Sequence, residues 1–125
     1  MKRLFLSVVL ALICVAPSAN AADSPEFNAK TTADLVELCS APLDAMFYQA
    51  SMAYCLGFID AAHDYHSVIT SGDLLRPIAC PGPGVTRQEM IDVFLAWAAK
   101  NPGLLKGEGP IHGLMRAASD KWPCS

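Results

Sequence analysis

Two groups of residues in this chain have types and spacing that could do chemistry. One is the cysteines, Cys14 and then Cys39, Cys55, Cys80 and Cys124; the other is Asp60, His63, Asp64 and His66, two acids and two imidazoles within seven positions. Positions 60, 63 and 64 share a face if the stretch is helical, so Asp60, His63 and Asp64 could approach one cation. Zinc sites, however, draw ligands from more than one element and orient them through outer hydrogen bonds, so a single helix end with this content reads as a solvated face. No metal or other cofactor is assigned. A cysteine nucleophile needs a free thiol beside a base, and an exported chain tends to bridge its thiols. Ser67, Ser71 and Ser119 have no G-x-S-x-G setting, and nothing selects one carboxylate pair among many surface acids. The residues therefore point to a binding protein and not to an enzyme.

The compartment decides how the cysteines are read. Met1-Lys2-Arg3, an apolar run from Leu4 to Pro17, and Ala19-Asn20-Ala21 form the three parts of a secretory signal peptide over residues 1–21. Cys14 lies inside that run, with Ile13 before it where a lipoprotein signal places a small residue, so it is expected to leave with the signal. No later run approaches the roughly 20 apolar residues of a membrane span. The mature chain then begins at Ala22 and keeps four cysteines, an even number in a short exported chain, which is the mark of disulfides. Removing Lys2 and Arg3 from nine basic residues leaves seven against twelve acidic ones, a formal charge of −5. That opposes nucleic acid or anionic lipid as a partner and permits a basic protein surface.

The elements that must position these residues read as helices. Residues 22–31 are polar and aperiodic, a flexible mature N-terminus, and 32–125 form the domain. Thr31-Thr32-Ala33-Asp34 supplies capping groups before Leu35, Val36 and Leu38, giving a short helix that ends near Cys39. From Pro42 to Tyr65, residues Leu43, Met46, Phe47, Ala50, Tyr54, Phe58, Ala61, Ala62 and Tyr65 recur at spacings that predict a long central helix with this stripe inward. Gly57 within it costs roughly 1 kcal/mol against alanine, a penalty offset if another helix crosses closely there. Pro81-Gly82-Pro83-Gly84 continues no regular element, and Thr86 with Glu89 forms a capping-box pattern that starts a third helix near Arg87. Its stripe is Met90, Ile91, Phe94, Leu95 and Ala98, and Asn101-Pro102-Gly103 stops it. After a glycine-bearing connection, Pro110 opens a last helix with Ile111, Leu114, Met115 and Ala118 inward, ending before Pro123. Trp97 and Trp122 read as core or rim packing. The fold expected is all-α, a small disulfide-bridged bundle of about four helices.

Short connections favour antiparallel neighbours, which would bring Cys80 beside Cys124. Cys39 with Cys55 is then the pair left over, and it conflicts with a helix running from Pro42. Thirteen residues of helix span about 20 Å, whereas bridged Cα atoms lie about 4.4 to 6.8 Å apart. Either the helix starts nearer Gln49, with residues 40–48 folding back, or the cysteines pair differently.

Taken in order, Leu35-Val36-Glu37-Leu38-Cys39, Cys55-Leu56-Gly57-Phe58-Ile59, Cys80-Pro81 leading to Gly84-Val85-Thr86, Phe94-Leu95, Asn101-Pro102 and Trp122-Pro123-Cys124 resemble the Tai/Rap family of type VI secretion amidase immunity proteins. The resemblance covers about residues 32–124. Phe58 stands where the family has tyrosine, Gly82-Pro83 stiffens the Cys-Pro loop, and Lys106-Gly107-Glu108-Gly109 breaks a segment that family members keep helical. The resemblance implies a periplasmic all-helical protein, often a homodimer, that binds a peptidoglycan amidase effector and blocks its cleft with a protruding loop. On that reading the connection from Lys100 to Pro110 is the expected partner-binding element, with Leu104, Leu105, Lys106 and Glu108 at its tip, apolar groups rimmed by charge. The competing readings are a small periplasmic acid-stress chaperone and a housekeeping binding protein.

Overall fold

A computed structural model describes residues 27–72 and 75–125. The expected signal peptide, residues 1–21, lies outside them. Four helices follow in order: α1 (Thr32–Cys39), α2 (Tyr48–Thr70), α3 (Arg87–Lys100) and α4 (Pro110–Lys121), with no strand among the described residues. α3 and α4 pack on each other, and short α1 lies against α2, α3 and α4 together. The core is Leu35 of α1, Cys55 and Ile59 of α2, Ile91, Phe94 and Trp97 of α3, and Leu114 and Ala117 of α4. Burying one such Leu, Ile or Phe side chain contributes about 1.5–3 kcal/mol.

The helix starts follow the capping chemistry, with one exchange of roles. At α1 the full reciprocal box forms: Thr31 Oγ1 accepts the Asp34 amide at 3.2 Å, and Asp34 Oδ2 accepts the Thr31 amide at 2.8 Å. Asp34 also accepts the Lys30 amide at 2.9 Å. At α3, Thr86 Oγ1 accepts the Glu89 amide at 3.1 Å, which is half of the box expected there. Pro110 opens α4 as its first residue, where its missing N–H costs nothing.

α2 corrects the sequence reading in both boundary and face. It begins at Tyr48, not Pro42, and runs on to Thr70. The reason is the bridge between Cys39 and Cys55, whose Cα atoms lie 5.1 Å apart. The chain must return on itself in between, and it does so through consecutive turns in which the Ala45 amide donates to Pro42 O and the Tyr48 amide to Ala45 O. Leu43 and Met46 therefore stand 81% and 88% exposed. The same tether turns Cys55 inward, so the buried face is Ser51, Cys55, Ile59 and Ala62. Of the expected stripe only Ala62 lies in that face. Tyr54 and Phe58 stack on its flank with centroids 6.4 Å apart, and Ala50, Ala61 and Tyr65 face out.

Gly57 is exposed and faces open space, so no helix crosses it. The close approach is at Gly113 of α4. A Cβ there would run into Thr32, a fully buried side chain of α1, with Oγ1 only 2.6 Å away. In α4 the buried set is Gly113, Leu114, Ala117 and Ala118, while Ile111 is exposed and Met115 half-buried. In α3, Trp97 joins Ile91, Phe94 and Ala98 in the interior, and its indole N–H donates to Asp120 at 2.9 Å. The segment expected to be flexible over 22–31 is described from Phe27: the Ala29 amide donates to Tyr54 Oη at 3.1 Å, and Phe27 lies edge-on to Phe47.

Candidate partner-binding surface

The connection between α3 and α4 is a series of turns, pinned at both ends and in its middle. Asn101 caps α3, its side-chain amide donating to Trp97 O at 2.8 Å, and the Leu104 amide returns to Asn101 O at 3.1 Å. The chain then passes the open end of α1. There the Ala33 amide donates to Leu105 O at 2.9 Å and the Thr32 amide to Glu108 O at 2.8 Å. Thr32 Oγ1 donates to Gly109 O at 2.9 Å. The first amides of a helix have no partner within it, and here the connection supplies their acceptors. α1 and the connection are thus one structural unit.

The four residues expected at the tip separate into two kinds. Leu104 is 38% exposed and Lys106 is exposed, so both present side chains outward. Leu105 is half-buried and packs against the core. Glu108 holds Arg116 of α4 through two hydrogen bonds of 2.9 Å, one from Nε and one from Nη2. Its carboxylate is largely covered by this pair. Leu105 and Glu108 anchor the connection, and Leu104 and Lys106 are what it displays.

Asp60, His63, Asp64 and His66 do not converge. Asp60 takes a 2.8 Å ion pair from Arg87 at the start of α3, His63 Nδ1 lies 3.4 Å from Asp64 Oδ1 at the surface, and His66 Nε2 accepts the Ile78 amide at 3.0 Å. Among the described residues no group of three or more His, Cys, Asp or Glu side chains is placed to hold a metal ion.

Around Asp60 and His66 is a cleft of about 500 Å³ that sequence reasoning did not anticipate. Its floor includes Ile59, Met90 and Leu114, and its mouth is formed by the Pro81–Thr86 loop and Trp122. Gly84 in that loop has φ +90°, a conformation that favours glycine. The wall is fastened by the Cys80–Cys124 bridge, with Cα atoms 5.0 Å apart, and by the Cys80 amide donating to Trp122 O at 2.8 Å. The rigid Pro-Gly-Pro-Gly run was the available signal for it, but only the antiparallel packing of α3 and α4 shows that the loop roofs a hollow. The links from Arg87 to Asp60 and from Trp97 to Asp120 left no mark in the sequence, since surface acids and arginines are common.

Among the described residues the one clear electrostatic perturbation is at Asp34. The Thr31 backbone amide, then the Thr31 hydroxyl and the Lys30 amide, stabilise its carboxylate and hold its pKa below the usual aspartate value.

The described residues form a helical bundle closed by two bridges. The sequence model of the Rap1a immunity proteins matches residues 31–124, and the chain belongs to that family. It is thereby an immunity protein of the class that meets type VI effectors, and its partner is an effector. No curated protein and no solved structure matches the chain. No helix among the described residues is long and apolar enough to cross a membrane.

Proposed function

We propose that the mature chain, residues 22–125 after removal of the 1–21 signal, acts in the periplasm as an immunity protein that binds a peptidoglycan amidase effector and blocks its cleft sterically. Family membership over residues 31–124 is the observation that carries the reading. The connection between α3 and α4 is the contacting element, with Leu104 and Lys106 meeting the effector. Its support is preorganisation: the turns are held by backbone bonds to α1 and by the Glu108 pair with Arg116, so little conformational entropy is lost on docking. The net acidity of the mature chain favours a basic rim around the effector's cleft. The homodimer expected from the resemblance belongs to the same proposal.

The oxidised mature protein, immobilised and exposed to secreted and periplasmic fractions of its own organism and its close competitors, is expected to retain a peptidoglycan amidase identifiable by mass spectrometry. Leu104→Asp, at an exposed position, should keep the fold and lose most of that capture. Retention of proteins that contain no peptidoglycan hydrolase, unchanged by this variant, would overturn the proposal.

A further inference from the structure

We propose that His66 is an acid-released latch that holds residues 75–80 against α2 and so sets the width of the cleft. His66 sits one turn from the end of α2 and accepts the Ile78 amide on Nε2 at 3.0 Å, across twelve positions of chain. Only a neutral imidazole with its proton on Nδ1 can accept there; once protonated, both ring nitrogens are donors and the Ile78 N–H faces another N–H. The bond cannot survive that change.

The two residues after Ile78 make the latch matter. Ala79 is 4% exposed and, like His66, lines the cleft. Cys80 is fixed by its bridge to Cys124 and by its amide bond to Trp122 O. The wall is therefore hinged at Cys80 and fastened at Ile78, and release of Ile78 lets it swing from α2, uncovering Ala79 and the floor at Ile59 and Ala62. Ile78 is 53% exposed, so water takes over its freed amide and the change is reversible.

The surroundings favour release over a swapped partner. On α2 the ionisable groups of the cleft are Asp60 and His63; α3 contributes Arg87; the loop carries Arg76 two residues before Ile78; α4 and the residue after it contribute Leu114, Met115, Ala118 and Trp122, none ionisable. Among the described residues the one carboxylate lining the cleft, Asp60, is already paired with Arg87 at 2.8 Å. Among the described residues that line the cleft, no unpaired carboxylate is left to hold an imidazolium at position 66. The latch operates whatever the effector is.

The test is an NMR titration of the oxidised protein that follows the His63 and His66 rings and the amides of Ile78 and Ala79, with hydrogen exchange measured against intrinsic rates at each pH. The Ile78 amide shift should move with the midpoint of the His66 ring, and its protection factor should fall by roughly tenfold, the equivalent of one hydrogen bond. Ala79 should follow. His66→Phe should leave Ile78 unprotected already at neutral pH, and His63→Phe should leave it protected. An Ile78 amide that keeps its shift and protection while His66 titrates, or that follows His63, overturns the latch.

Discussion

The two bridges of this molecule sit in opposite surroundings and hold different things. Cys39 and Cys55 are 4% and 0% exposed, part of the core, and close a separation of 16 residues. Cys80 and Cys124 close a separation of 44, around α3 and α4, with Cys124 exposed at the end of the chain. Loop closure alone ranks the outer bridge higher, at about 4 kcal/mol against about 3 for the inner. Burial reverses the order. The inner cystine also fills core space and decides which face of α2 points inward, whereas the outer one fastens a loop beside a cleft and the end of the chain. One bridge determines the fold, and the other determines the shape of a surface.

Removing each bridge breaks this comparison most directly. Cys39→Ser with Cys55→Ser should destabilise the protein by about 5 kcal/mol, because two hydroxyls are left in an apolar core in addition to the lost cross-link. Cys80→Ser with Cys124→Ser should cost at most about 4 kcal/mol. Urea unfolding of both pairs measures the order, and an outer pair that costs more would mean that chain entropy outweighs burial. Access sharpens the contrast: under limiting dithiothreitol, alkylation and mass spectrometry should find Cys80 and Cys124 modified well before Cys39 and Cys55.

The contact between α1 and α4 is spanned by neither bridge and rests on the packing of Thr32 against Gly113 and on the hydrogen bonds from Thr32 to Glu108 O and Gly109 O. Gly113→Ala should destabilise by about 1–3 kcal/mol, although alanine is worth roughly 1 kcal/mol more than glycine within a helix. An unchanged or raised urea midpoint would mean that Thr32 yields easily. Trp97→Phe, which keeps a ring in the core but gives up the bond to Asp120, should cost about 1 kcal/mol. The smallest effect is at Asp34. Its pKa is lower folded than unfolded, so its contribution is complete above the ordinary aspartate range and is lost as pH falls through the folded value. Asp34→Ala should therefore lower stability near neutrality, and its difference from the parent should shrink in acid.

How much of the fold and surface was legible in the sequence differs element by element. α1, α3 and α4 carry their own punctuation, in Thr31 with Asp34, Thr86 before Arg87, and Pro110, and local capping chemistry needs no tertiary information. α2 carries none, since Phe47 at its start makes no side-chain cap. Its periodicity runs on through residues 42–47, where apolar side chains happen to keep helical spacing while the chain is turning back. The conflict between that helix and the Cys39–Cys55 pair is visible in the sequence, and the bridge prevails because it is covalent. At the candidate surface, the exposed residues of the connection were legible from leucines set among glycine and charge. That Leu105 and Glu108 are anchors was not, because their partners at Thr32, Ala33 and Arg116 lie on other helices. The cleft and the bond between His66 and Ile78 also required the packing of distant segments.

The central claim is that this bundle stops an effector enzyme by covering it with the connection between α3 and α4. It is tested most directly by peptidoglycan hydrolysis with the captured amidase, titrated with the oxidised wild-type protein and with Leu104→Asp. Hydrolysis is expected to cease as the wild type reaches stoichiometry, and the folded variant to need at least about tenfold more protein, the equivalent of one good apolar contact. Hydrolysis that continues unchanged under saturating wild-type protein would contradict it.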